Sequence, residues 1–175
     1  DIGVYQESGP NKGCYDTTEE VLTRLIRSYN MAITTKGVTE TVATLRDICE
    51  KKRACTDKDL VAVNNGIYDY GHKILMGFDP ELVFLAKSHI DFVDHARNPV
   101  IHNYEDGTDW DVVSWMDELS DDPEIVKLLW QIIGATIRPN VSWNKSAWFY
   151  STLGNNGKGT LCVLAMESDM QGYSM

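Results

Sequence analysis

Apolar positions in the first third of the chain recur at the spacing of an α-helix. The first predicted helix opens at Asp16, and Glu19 three residues later completes the spacing of a capping box. Its apolar face consists of Val21, Leu22, Leu25, Ile26 and Tyr29. A second helix is predicted from about residue 38 to residue 53, and its last turn carries the basic residues 51–53, which suit the negative end of the helix dipole.

Between residues 60 and 76 the apolar pattern changes to short runs separated by turns. Leu60–Val63 and Ile67–Tyr70 flank the turn signal Asn64-Asn65-Gly66, and a glycine turn precedes residues 74–76. This pattern predicts a small antiparallel meander. Two further regions contain extended candidates. Residues 4–5 and 14–15 are expected to belong to a hairpin or a loop, and a strand is expected over residues 82–86.

Two more helices are predicted in the second half of the chain. Asp109 is expected to cap one that contains Trp110, Val113 and Met116, and Asp121-Asp122-Pro123 opens the other. The second of these carries seven apolar residues within 13 positions, so it is expected to be deeply packed: Ile125, Val126, Leu128, Leu129, Ile132, Ile133 and Ile137. The five tryptophans are interpreted as core residues rather than as platforms for stacking bases.

Composition and charge exclude several classes of protein. The chain has 175 residues, of which 43% are hydrophobic, so it can form one domain or one domain and part of another. Its formal net charge of −10 argues against a surface built to bind nucleic-acid backbones or anionic lipid. No apolar run approaches the roughly 20 residues of a transmembrane helix, so no membrane partner and a cytoplasmic location are expected. The four scattered cysteines are expected to be reduced thiols.

A cluster of possible metal ligands lies in the middle of the chain: His89, Asp91, Asp94, His95 and His102. Asp91 and Asp94 would face opposite ways on a strand, and Pro99 introduces a loop before His102. A polar, partly exposed connection is therefore the favoured interpretation, with metal binding as the alternative.

The stretch that indicates chemistry lies near the C-terminal end. A compact aromatic run at residues 146–150 is predicted to form a strand, and the apolar residues 161–164 begin a helix. The glycine-rich loop between them supplies candidate nucleotide-binding residues: Gly154, Asn155, Asn156, Gly157, Lys158, Gly159 and Thr160. Strand, loop, Gly-Lys and helix are the context of a phosphate-binding (Walker A) loop, in which backbone N–H groups surround phosphate oxygens and the lysine reaches the terminal phosphates. The alternative is a glycine turn with an incidental lysine.

This loop departs from the usual phosphate-binding pattern at two positions. Thr152 stands where the first glycine is normally found, and Gly159 follows the lysine where a magnesium-binding hydroxyl is normally found. Thr160, one place later, is the candidate ligand for Mg²⁺. Gly-Lys-Gly-Thr also occurs in adenylate kinases, so nucleotide binding is compatible with the second change.

Taken in order, three parts of the chain resemble the primase–helicases of phages, plasmids and poxviruses. Val63–Asp69, together with Gly77–Glu81, is similar to the family's asparagine-glycine strand element and the segment after it. Ile125–Thr136 is similar to the helix that ends in a glycine before the ATPase strand, and Trp148–Thr160 is similar to the strand and its phosphate loop. In that family a helical linking domain precedes a superfamily 3 helicase ATPase.

The resemblance implies an α+β chain with two parts. Residues 1–143 would form a mostly helical linking domain with a small antiparallel sheet, and residues 144–175 would form the first strand, phosphate loop and helix of an α/β ATPase. The parent protein would be a ring-forming, ATP-driven DNA helicase of a phage or mobile element, often fused to a primase, with ATP and Mg²⁺ as cofactors. The resemblance also implies that it acts in the cytoplasm of a bacterial host. Lys158 would be catalytic and would contact the β- and γ-phosphates, while DNA would be bound by parts of the parent outside this chain.

The resemblance also implies which activity the 175 residues lack by themselves. The acidic strand, the sensor residue and the arginine finger normally lie beyond the 15 residues that follow Thr160, so no ATP hydrolysis is expected from these residues by themselves. Two alternatives stay open: an assembly or interaction module without catalytic activity of its own, and a small nucleotide kinase with a phosphate-binding loop.

Overall fold

The computed structural model describes residues 1–152, 154 and 156–168. These residues form an α+β structure with five helices and small antiparallel sheets. The strands are β1 (Val4–Tyr5), β2 (Tyr15–Asp16), β3 (Leu60–Val63), β4 (Gly66–Asp69), β5 (Ile74–Met76), β6 (Val100–His102) and β7 (Asp109–Asp111). The helices are α1 (Glu19–Tyr29), α2 (Thr35–Ile48), α3 (Val112–Glu118), α4 (Pro123–Thr136) and α5 (Lys158–Ser168).

The described residues divide into two compact units, one formed by residues 1–91 and the other by those of residues 92–168. The boundary expected at residue 143, between a linking domain and the start of an ATPase domain, stays a prediction. None of the described helices is long and apolar enough to cross a lipid bilayer.

The meander predicted for the first unit is confirmed. Strands β3, β4 and β5 pair antiparallel in that order, and the two-residue loop Asn64-Asn65 sets Val63 opposite Gly66. Ala62 and Ile67 are fully buried opposite each other and form the core with Cys14 and Phe84. Of the hairpin or loop expected around residues 4–15, a hairpin of β1 and β2 forms.

The strand predicted over residues 82–86 is wrong. Val83 makes only an isolated bridge to Ala54, while the N–H of Tyr15 donates to the carbonyl of Phe84 at 2.7 Å and the N–H of Ser88 donates to that of Ala62 at 2.9 Å. The segment thus bonds to three different parts of the unit in turn, so no continuous ladder forms along it.

Both N-terminal helices form, but their ends differ from the prediction. The carboxylate of Asp16 accepts hydrogen bonds from the N–H and hydroxyl of Thr18, so it stabilises the turn ahead of α1 and no capping box forms. Helix α2 begins after Thr34, whose hydroxyl accepts the N–H of Gly37 at 3.1 Å, and it ends at Ile48. The basic residues 51–53 therefore lie beyond the helix. Leu22, Ile26 and Val38 form the small core between α1 and α2.

In the second unit, the helix that Asp109 was expected to cap begins two residues later than predicted, at Val112, and Asp111 is its cap. Trp110 pairs with Ile101 between β6 and β7, so residues 109–111 are extended. The carboxylate of Asp111 then caps α3 by accepting the N–H of Ser114 at 2.9 Å and its hydroxyl at 2.7 Å. Hairpin pairing thus outweighs the helical pattern at these residues.

Helix α4 begins at Pro123 as predicted, and Asp122 caps it by accepting the N–H of Glu124 at 2.9 Å. It ends at Thr136, one residue before Ile137, the last apolar residue expected in it. The prediction that it is deeply packed is wrong. Val126 is buried, but Ile125, Leu128 and Trp130 are exposed, because α3 and α5 cover only part of the helix surface. The interpretation of the tryptophans as core residues fails most clearly at Trp148, which is 91% exposed.

The predicted strand at residues 146–150 is absent from the structure. These residues carry no strand pairing, and Trp148 and Tyr150 are exposed. A strand at the start of an α/β ATPase needs neighbouring strands to pair with its backbone groups, and none lies beside residues 146–150 in the described part of the chain. Of the predicted strand, loop and helix, only the helix forms as regular structure, as α5.

Candidate nucleotide-binding site

The residues predicted to bind phosphate lie at and before the start of α5. Lys158 is the first residue of the helix, and the N–H of Leu161 donates to the carbonyl of Gly157 at 2.9 Å, which closes the first turn. Leu161 is buried and anchors this turn in the second unit. Asn155 lies outside the described residues. The other predicted residues lie on either side of this helix start: Gly154, Asn156 and Gly157 precede α5, and Gly159 and Thr160 belong to its first turn.

The backbone of Gly157 has a conformation that other residues rarely adopt. Its φ angle is +80°, in the left-handed region. A Cβ at this position would lie 2.6 Å from Cδ2 of Leu119 and 3.2 Å from Cζ2 of Trp115. Glycine is thus required here for two reasons: the backbone has a left-handed conformation, and residues at the C-terminal end of α3 lie too close to leave room for a side chain.

Lys158 is held close to its own loop. Its Nζ donates to Oδ1 of Asn156 at 2.5 Å, and the side chain is partly buried. Because an amide oxygen carries no formal charge, this bond leaves the positive charge of the ammonium group uncompensated. A phosphate oxygen that approached the helix N-terminus would compete with Asn156 for the same proton donor.

The first turn of α5 offers further donors. By helix geometry, the N–H groups of residues 158–160 have no acceptor within the helix, and the helix dipole adds partial positive charge there. Gly159 and Thr160 are exposed, so a ligand can reach this turn from solvent. Backbone donors, a dipole and one lysine together suit a phosphate group.

The fit to Mg²⁺ is weaker than the fit to phosphate. Thr160 contributes the only hydroxyl in the first turn of α5, and the loop from Ser151 to Thr160 contains no aspartate or glutamate. Mg²⁺ is usually held by one or two carboxylates together with phosphate oxygens. Any Mg²⁺ at this loop would therefore be held mainly by the nucleotide itself.

The histidine and aspartate cluster takes the form of a polar, exposed connection. His102 pairs through Nδ1 with Oδ1 of Asp109 at 2.7 Å across the β6–β7 hairpin, and His95 lies 3.6 Å from the carboxylate of Asp94. Within the described residues, no three histidine, cysteine, aspartate or glutamate side chains converge as a metal site would require.

Two residues of the site were not predicted, namely Trp115 and Leu119. They contact Gly157 from about 40 positions earlier in the chain. Their own segment shows helical periodicity, which indicates that they lie on a helix but not what that helix contacts. No short-range signal in the sequence identifies this contact.

No protein-family model and no curated protein matches the chain. The resemblance to primase–helicases therefore depends on the ordered motifs between residues 60 and 162.

Proposed function

We propose that this chain carries the linking segment and the phosphate-binding loop of an ATP-dependent DNA helicase from a phage or another mobile element. The observation that best supports the proposal is the position of Lys158 at the first residue of α5, directly after Gly157 with its φ of +80°. A glycine turn into a helix that begins with lysine is the arrangement a phosphate-binding loop needs.

In this proposal the residues of the chain bind and orient the nucleotide. The N–H groups of the first turn of α5 hold phosphate oxygens, and Lys158 leaves Asn156 to bind the β- and γ-phosphates. Thr160 contributes a hydroxyl near the metal. ATP with Mg²⁺ supplies the phosphoryl group whose transfer drives unwinding. Ring assembly of the parent and its contacts with DNA belong to the same proposal, as do a cytoplasmic location and the absence of a membrane partner.

Nucleotide binding tests the proposal directly. Binding of a fluorescent ATP analogue to the intact chain is measured by titration, with Lys158→Ala as the variant and Lys145→Ala as a control that removes the same charge outside the loop. We expect Lys158→Ala to weaken binding about tenfold, or about 1.4 kcal/mol, and Lys145→Ala to leave it unchanged. Equal affinity of the two variants would contradict a role of Lys158 in phosphate binding.

A second candidate function is an assembly module, and the exposed apolar side chains of α4 favour it. Ile125 and Leu128, three positions apart on one side of α4, are exposed, whereas Val126 on another side is buried. Apolar groups grouped on one helix are typical of surfaces that bind other proteins. Analytical ultracentrifugation of the chain over a range of concentrations tests this function. Association that Leu128→Glu abolishes would support it, and a monomer at every concentration would exclude self-assembly through α4.

A further inference from the structure

The chain contains two Asn-Gly pairs, Asn65-Gly66 and Asn156-Gly157. In such a pair the backbone nitrogen of glycine can attack the side-chain amide carbon of asparagine, because glycine has no side chain to obstruct the approach. The five-membered ring that forms, a succinimide, hydrolyses to aspartate or isoaspartate, and the amide nitrogen is lost as ammonia. Asparagine is accordingly a thermolabile residue. The two pairs are matched in sequence, since an asparagine precedes each of them, but their surroundings differ.

The pair in the first unit is held within the meander. Asn65 ends the two-residue loop between β3 and β4, and Gly66 is buried and pairs with Val63. A β-carbon at Gly66 would overlap the carbonyl oxygen of Met76 on β5. The backbone of Gly66 thus lies close against both neighbouring strands, and closing a ring through its nitrogen would disturb the sheet. This pair should resist the reaction in the folded protein.

The pair in the second unit has a lysine on the amide that would react. Nζ of Lys158 donates to Oδ1 of Asn156 at 2.5 Å. Oδ1 is the atom on which negative charge develops when a nitrogen attacks the amide carbon. A hydrogen bond from a charged donor stabilises that negative charge more than it stabilises the neutral amide. Lys158 therefore has the position of a donor in an oxyanion hole.

The backbone of this second pair is also less constrained. Asn156 belongs to neither a helix nor a strand, and no acceptor in the described part of the chain bonds to the N–H of Gly157. Trp115 and Leu119 pack at the α-carbon of Gly157, whereas the reaction turns the side chain and the carbonyl group of Asn156. Both residues of the pair are half-buried and residues 159–160 are exposed, so water can reach the succinimide.

We propose that Asn156 is a site of spontaneous deamidation and that Lys158 promotes the reaction. A base removes the proton from the nitrogen of Gly157, this nitrogen forms a bond to Cγ of Asn156, and Oδ1 carries the negative charge of the tetrahedral intermediate. The Cγ–Nδ2 bond then breaks, and Nδ2 takes up a proton and leaves as ammonia. Water opens the succinimide at either carbonyl carbon. One water is consumed and one ammonia is released, with no oxidant or reductant.

The product carries a carboxylate beside Lys158. One consequence rests on the proposed phosphate-binding function: the carboxylate would hold the ammonium group and repel phosphate, so affinity for nucleotide would decline as the protein ages. The deamidation itself does not depend on that function. It is measured without nucleotide, so its failure and the failure of nucleotide binding are separate results.

Peptide mapping by mass spectrometry tests the proposal in the intact chain. The protein is incubated at neutral pH, either folded or in concentrated guanidinium chloride, and deamidation of Asn156 and Asn65 is quantified over time. We expect Asn156 to react at least about threefold faster in the folded chain, because only there does Lys158 contact its amide. Asn65 should instead react more slowly when folded. Reaction of Asn156 no faster in the folded than in the unfolded chain would overturn the proposal.

Two variants test whether Lys158 is the cause. In the folded chain, Lys158→Ala should slow deamidation of Asn156 at least about threefold and leave Asn65 unchanged. Lys145→Ala, which removes the same charge outside the loop, should change neither rate. In guanidinium chloride all three proteins should react equally at Asn156, and a difference that persisted there would overturn the proposal, as would an unchanged or faster reaction in folded Lys158→Ala. The comparison of folded and unfolded wild-type protein decides the question even if Lys158→Ala fails to fold.

Discussion

The indole ring of Trp115 lies directly against the backbone of Gly157, with its Cζ2 atom 3.2 Å from the place where a β-carbon would stand. Leu119 approaches the same position even more closely, at 2.6 Å. The last turn of α3 therefore packs on the residue that precedes Lys158. Through this contact, the conformation of the loop depends on a helix that belongs to a different part of the sequence.

Replacement of Gly157 by alanine should destabilise the second unit. The new methyl group would overlap Leu119, and alanine is strained at a φ of +80°. Together these effects should lower the free energy of unfolding by about 2 kcal/mol, measured by urea denaturation and monitored by tryptophan fluorescence. Gly154→Ala is the matched control, because nothing lies within 4 Å of a β-carbon there and its φ is not in the left-handed region. Equal stability of the two variants would show that Leu119 and Trp115 do not constrain the loop.

Asp111 should titrate well below an ordinary aspartate. Hydrogen bonds from the N–H of Ser114, the side chain of Asn98 and the hydroxyl of Ser114 lower the pKa of Asp111 to about 2. Because the pKa of Asp111 is lower in the folded protein than in the unfolded chain, the ionised carboxylate stabilises the folded state. This stabilisation is present above the unfolded-state pKa of about 3.9 and is lost as the pH falls toward 2. Carbon-detected NMR titration of the carboxyl group measures this value. In Ser114→Ala, which removes one donor, the pKa should rise; titration of wild-type Asp111 near 3.9 would contradict the cap.

The turns could be predicted from local sequence, because their causes are local. Asn64-Asn65-Gly66 supplies residues suited to a two-residue hairpin loop, and the observed pairing of Val63 with Gly66 places the turn there. Asp122 ahead of Pro123 likewise marks the start of α4 through a hydrogen bond within two residues. Such features need no information about distant parts of the chain.

Burial and sheet formation could not be predicted in this way, since both depend on neighbours. The apolar residues of α4 indicate a helix that needs covering, but Leu128 remains 52% exposed because no described element packs over it. The aromatic run around Trp148 has the composition of a strand yet lacks a partner strand in the described residues. The candidate site shows the same limit: the glycine-lysine loop was predicted from a motif, whereas the residues that pack on Gly157 from 38 and 42 positions earlier in the chain were not.

His72 should hold its proton to higher pH than a free histidine. Its Nδ1 lies 2.7 Å from the carboxylate of Asp69, and this hydrogen bond, together with the negative charge, raises the pKa of His72. Because the pKa of His72 is higher in the folded protein, its pairing with Asp69 stabilises the folded state. This stabilisation is fully present below the unfolded-state pKa of about 6.5 and is lost as the pH rises through the folded-state pKa. Proton NMR of the imidazole ring in wild type and Asp69→Asn measures the effect. We expect the variant to titrate at lower pH, and identical titration curves would rule out the pair in solution.

Asn156→Asp tests how the loop uses Lys158 and depends on the proposed nucleotide site. The amide oxygen of Asn156 accepts the proton of Nζ at 2.5 Å, and a carboxylate in its place would hold the ammonium group more strongly while repelling phosphate. We expect affinity for the ATP analogue to fall by about tenfold, with the loss reduced at high salt because part of it is electrostatic. Asn140→Asp adds the same charge outside the loop and should have little effect. If wild type binds the analogue through Lys158 but Asn156→Asp binds equally well, Asn156 does not hold the lysine in solution; if wild type does not bind at all, the phosphate-loop assignment itself is wrong.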